Sequence, residues 1–153
     1  MNQELKDPIQ FFKIAKQFVI KMGYEHEINI VDKRYFTTID AEEFLNEYAF
    51  VVISAGMKNQ VATKIYQKLF YEGVATVGHL GKRKAIEWMQ KYNEKLNEYN
   101  YVLIFNKLKI ATTDADRIEF LGTLKWIGDI TKYHLARNLG IDCAKPDRHL
   151  ERL

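Results

Sequence analysis

The residues best placed to do chemistry lie in the last thirty positions. The stretch Leu124-Lys-Trp-Ile-Gly-Asp-Ile-Thr131 reads as a tight, glycine-bearing hairpin between two helices. Sixteen residues after Thr131 stands Asp147, within Pro146-Asp147-Arg148-His149. A helix N-terminus exposes unpaired amide donors and a partial positive charge, so such a hairpin can hold a phosphate. Gly128 offers close access to the backbone, Lys125 adds a positive charge, and Leu124 and Ile127 would pin the two helices together. An acidic side chain at a fixed distance downstream can then act beside the bound anion. The same segment also reads as an ordinary helix corner that happens to contain a glycine. Asp147, following Pro146, equally reads as a helix N-cap.

The elements that must position these residues are helical. Asp7-Pro8 starts a helix whose apolar positions Ile9, Phe12, Ala15, Phe18, Val19 and Met22 keep helical spacing, and Gly23 ends it. Residues 24–38 read as an irregular linker or short helix. Asp40 caps a helix through Phe44, Leu45, Tyr48, Val51, Val52 and Ala55, apolar over most of its circumference and therefore expected at the centre. Gly56 breaks it. An amphipathic helix runs from Asn59 to Phe70 and ends near Gly73. The turn Gly78-His79-Leu80-Gly81 leads into a helix through Ile86, Met89, Tyr92 and Leu96. Tyr101-Val-Leu-Ile-Phe105 has strand character, but a lone strand has no partner, so the spacing predicts helix or a core-filling loop. Thr113 and Asp116 form a capping-box variant before Ile118, Phe120, Leu121 and Leu124. Ile130 to Leu139 is the helix after the hairpin, with Gly140 at its C′ position. The expected fold is all-α, with about seven helices in two packed layers around a central cleft and a helix-hairpin-helix motif.

Length and composition bound the reading. A chain of 153 residues with 47% hydrophobic and 13% aromatic content is expected to fold as one domain with a packed core. No apolar run approaches the roughly 18 residues of a membrane span, and the first residues lack a secretory pattern, so no membrane partner and a cytoplasmic location are expected. Cys143 is the single cysteine and has no intrachain partner. The four scattered histidines give no metal-ligand spacing, and no Gly-rich nucleotide loop is present, so no metal and no cofactor are expected. The net charge of +3 permits a nucleic-acid partner without requiring one.

The hairpin, the acid and a third segment together resemble the helix-hairpin-helix DNA glycosylase superfamily, endonuclease III-like. Family hairpins read approximately Leu-Pro-Gly-hydrophobic-Gly-x-x-Thr-Ala, followed after one helix by Gly and then Asp-x-His. Leu124, Ile127, Gly128, Thr131, Gly140 and Asp147-Arg148-His149 match. Lys125-Trp126 and Lys132 depart from the pattern. Gln60-Val61-Ala62-Thr63 resembles the start of the family helix behind the DNA-wedging turn, with Met57-Lys58 in place of glutamines. The resembling segments span 48–70 and 113–153.

The resemblance implies specific roles. Lys125, Trp126, Gly128, Ile130 and Thr131 would form the DNA-binding hairpin, and Met57, Lys58 and Asn59 the wedge that enters the duplex. Asp147 would stabilise the positive charge that builds on deoxyribose as the N-glycosidic bond breaks, and would activate a water. The lysine that family members use for strand cleavage falls on Ile130 here, so a monofunctional enzyme is implied, with Lys132 a solvent or phosphate lysine. Trp126, Tyr133, Tyr35 and Phe36 are candidates to stack on the flipped base. His149, Arg152 and Lys82, with Arg83 and Lys84, are candidates to touch phosphate. The implied partner is double-stranded DNA bound by a monomer. The alternative is a non-catalytic helix-hairpin-helix module that only holds DNA. The chain stops six residues after Asp147, where related domains continue with further helices, so the resemblance implies either that the N-terminal segment fills that space or that the form is C-terminally shortened.

Overall fold

The computed structural model describes residues 8–26, 28 and 35–143. Asp147, His149 and Arg152 therefore lie outside the described residues. The chain divides into two compact units, Met1–Arg34 and Tyr35–Leu153.

In the first unit, α1 spans Pro8–Val19 and runs into a wider helical turn over Ile20–Tyr24. Gly23 sits there at φ 91°, a left-handed conformation that glycine adopts without steric cost. The stop signal read at this position is real.

The second unit is built around α2, Ala41–Ser54. Its start is a full capping box. The Asp40 carboxylate accepts from the Glu43 amide and the Glu43 carboxylate accepts from the Asp40 amide, both at 2.8 Å. Phe44, Tyr48, Ala49, Val51, Val52 and Ile53 are all buried, as expected for a central helix that is apolar on most sides. Around it pack α3 (Asn59–Glu72), α4 (Leu80–Gln90), α5 (Asn100–Ile110) and α7 (Thr131–Asn138), while α6 (Asp114–Leu121) pairs with α7 and α5. Phe44 stacks on Phe105 at 5.8 Å, joining α2 to α5. The strand-like run 101–105 is helical, and its one fully buried residue, Phe105, packs on α2 and not on a partner strand.

One helix is shorter than its apolar spacing predicts. α4 stops at Gln90, and Tyr92–Asn93 pairs antiparallel with Glu98–Tyr99 in a small hairpin. The Asn93 side chain accepts from the Leu96 amide at 3.2 Å, and Asn97 takes φ 53°. Asparagine side chains offer the backbone a local alternative to the helix, and here they outcompete the apolar positions Tyr92 and Leu96. The described residues are otherwise helices joined by short turns, so the protein is all-α. None of these helices is long and apolar enough to cross a membrane.

Candidate nucleic-acid interface

Two helix corners carry the residues singled out by the sequence. The first joins α6 to α7. Its backbone descends through a ladder of turn bonds: Gly122 to Ile118, Thr123 to Phe120, Leu124 to Leu121, and Ile127 to Leu124. Leu124 and Ile127 are buried and anchor the corner, as their spacing predicts. The Tyr48 hydroxyl donates to the Lys125 carbonyl at 2.9 Å, tying the corner to α2. Burial pushes the Tyr48 phenol well above its ordinary pKa, so it remains a donor.

The glycine at the tip behaves differently from the sequence expectation. Gly128 does not adopt the left-handed region; Trp126 does, at φ 65°. The Gly128 amide donates to Thr131 Oγ1 at 2.7 Å, and its carbonyl accepts from the Lys132 amide at 3.0 Å. Gly128 therefore lies two residues before Ile130, the N-cap of α7, is bonded to the first turn of that helix, and has its own N–H committed. The amides of Asp129, Ile130 and Thr131 have no acceptor among the described residues. Those three donors, at a positive helix end, can accommodate an anion. The Lys125 and Trp126 side chains are exposed beside them. The fully exposed Asp129 carboxylate stands on the same rim and opposes a phosphate.

The second corner joins α2 to α3. Gly56 turns the chain at φ 74°, the Met57 amide donates to the Ser54 carbonyl, and Lys58, Asn59 and the partly exposed Met57 project outward. Lys82 fixes this corner. Its Nζ donates to the Ile53 carbonyl at 2.9 Å and to the Ala55 carbonyl at 2.7 Å. Lys82 is 4% exposed, and burial pushes its pKa below the ordinary lysine value. The expectation of Lys82 as a phosphate contact is corrected: its ammonium is turned inward to satisfy the orphan carbonyls at the end of α2.

The two corners meet through the turn before α4. His79 caps α4 by accepting from the Lys82 amide at 3.3 Å. Its ring meets the Trp126 indole edge-on at 5.0 Å between centroids. A side chain on Gly81 would bring a carbon within 2.7 Å of the Trp126 ring, so glycine there makes room for the indole. A continuous path thus runs from the Ile53–Ala55 carbonyls through Lys82 and His79 to Trp126.

Other candidates fall elsewhere. Lys132 is buried, with Nζ 2.8 Å from Glu119 Oε1, a bond that raises its pKa. The solvent or phosphate role is thereby corrected, because the α6–α7 pairing covers the side chain. Gly122 permits that pairing: a carbon added there would approach Lys132 Cδ to 3.1 Å. Phe36 is buried edge-on against Phe105 and is not a stacking platform. Tyr133 is half-buried against the core. Tyr35 is exposed, but its neighbour Phe36 donates to Gly140 at the far end of α7. Eight helical residues separate that end from the hairpin, roughly 12 Å. Arg83 is partly exposed and Lys84 exposed on α4. The described residues contain no cluster of three or more potential metal ligands.

Sequence reasoning missed Tyr48, His79, Asp129 and Glu119 as parts of this interface. A polar atom on an otherwise apolar helix marked Tyr48, and a histidine at a cap position marked His79. Nothing local marked Glu119, whose partner lies on the next helix. Compared with known proteins, the chain matches no protein-family model, no curated protein and no solved structure.

Proposed function

We propose that this protein grips duplex DNA with the α6–α7 corner and acts as a monofunctional DNA glycosylase. It would hydrolyse the bond between a damaged or modified base and deoxyribose and leave an abasic site. The observation that carries the reading is the corner itself: three amides at an exposed helix start with no acceptor among the described residues, flanked by Lys125 and braced from behind by Tyr48 and His79. Such a site contacts the sugar–phosphate backbone without reading sequence. The Met57–Lys58 turn, joined to it through Lys82, His79 and Trp126, is the element that would fill the space left by the extruded base. The catalytic role of Asp147 rests on its motif and its spacing from the hairpin.

The assay is incubation with duplex oligonucleotides carrying a panel of altered bases, followed by alkali to reveal abasic sites. Cleavage of at least one substrate is expected. Asp147→Asn should lower that cleavage about a hundredfold or more while retaining DNA affinity. Equal activity in the variant removes Asp147 from the mechanism. A binding-only module is the second reading, because an anion held at the α6–α7 corner needs no catalytic group. Duplex binding without cleavage of any substrate selects it.

A further inference from the structure

A cavity of about 290 Å³ lies beside the hairpin, under Leu124 and Lys125. Trp88, Met89, Ile104 and Phe120 contribute apolar and aromatic walls, and Lys107 and Lys125 stand at its edge. The Tyr48 ring also lines it, and that hydroxyl is already committed to the Lys125 carbonyl. A cavity near 150 Å³ accommodates a benzene ring, so this one suits a one- or two-ring aromatic group. Neither lysine ammonium has a carboxylate partner among the described residues, and no carboxylate is among the residues lining the cavity. Two cations with no carboxylate beside them among the described residues, next to an aromatic slot, set a specific requirement. The ring seeks Trp88 and Phe120, and a negative group seeks Lys107 and Lys125.

We infer that this cavity is a binding site for a planar aromatic group bearing an anion, the chemistry of a nucleotide. The inference goes beyond the glycosylase reading and does not depend on Asp147 or on the amides of α7. The ligand can be a free aromatic anion or one nucleotide of a nucleic-acid strand. Of its platforms, Phe120 is read from the sequence only as an apolar helix position, and Trp88 is not singled out.

The test is NMR of the full chain with labelled methionine and isoleucine methyls, titrated in turn with deoxyadenosine 5′-monophosphate, deoxyadenosine, inorganic phosphate and a short single-stranded oligonucleotide. The Met89 and Ile104 methyls should shift with the monophosphate or the oligonucleotide. Deoxyadenosine and phosphate alone should bind about tenfold more weakly or not at all. A response to the monophosphate identifies a free ligand, and a response to the oligonucleotide alone identifies a strand. Lys107→Gln with Lys125→Gln should weaken binding about tenfold; both residues are exposed, so the fold is not at stake. Ile104→Phe, which fills the slot, should abolish it. Silence of both methyls with every probe overturns the inference. Affinity that survives loss of both lysines overturns it as well. Either result leaves the Asp147 assay unaffected, so the two proposals fail separately.

Discussion

The α2–α3 corner and the α6–α7 corner solve the same geometrical problem by different means. At the first, Gly56 takes the left-handed conformation and a buried lysine holds the preceding carbonyls. At the second, Trp126 takes it although a glycine stands two residues away, and a buried tyrosine holds the Lys125 carbonyl. The difference shows that a glycine marks freedom to turn, not the place where the chain turns. Trp126 accepts an unfavourable backbone because its ring gains a seat against His79 and Gly81. Gly128 then bonds the first turn of α7, through its amide to Thr131 and its carbonyl to the Lys132 amide.

Removing the lysine breaks the comparison most severely. Lys82→Met leaves the Ile53 and Ala55 carbonyls without their donor and should cost about 1–3 kcal/mol of stability by chemical denaturation. An unchanged midpoint would show that Lys82 does not hold the corner. The glycines come next. Gly56→Ala should cost about 1–2 kcal/mol, because alanine is strained at this φ. Gly128→Ala should cost less, under about 1 kcal/mol, because its φ is ordinary. Equal losses would contradict the assignment of the two turns.

Tyr48→Phe should cost about 1 kcal/mol by removing one hydrogen bond to the hairpin. The pH dependence sharpens the contrast, because burial favours the neutral form of both groups but moves their pKa values in opposite directions. Between the lowered Lys82 pKa and the ordinary value of 10.5, the unfolded chain binds more protons than the folded one, so this lysine makes stability rise with pH. Above pH 10 the unfolded tyrosine loses a proton that folded Tyr48 keeps, so stability falls. Difference curves of each variant against the parent should therefore have opposite slopes in alkali. Slopes of the same sign would contradict one of the two environments.

The smallest effect concerns the rim of the hairpin. Asp129→Asn should tighten duplex DNA binding about two- to fivefold, by removing a negative charge beside the amides at the start of α7. Weaker or unchanged binding would place the phosphate elsewhere.

The helices and their caps were legible because their signals are local. Asp40 with Glu43, Gly73 after α3, and Gly140 after α7 each satisfy terminal backbone groups within a few residues. Gly140 closes α7 with paired bonds from Gly140 to Arg137 and from Ile141 to Ala136, as its sequence position indicates. The hairpin was legible as a corner, since Leu124 and Ile127 needed burial on either side of a polar tip. The end of α4 was not, because asparagine side chains diverted the backbone within a pattern that remained apolar.

The amino-acid order alone thus determined an all-α chain, the buried central helix and the two corners, since apolar spacing and capping act over one or two helical turns. Tertiary structure alone decided which lysines face inward, that Trp126 and not Gly128 bends the tip, and that His79 joins the corners. Such outcomes depend on partners distant in the chain, 29 residues apart for Lys82 and Ile53, and so does the 77-residue bond from Tyr48 to Lys125. A side chain's burial and charge state are set by whichever helix packs over it, and no short-range pattern specifies that neighbour.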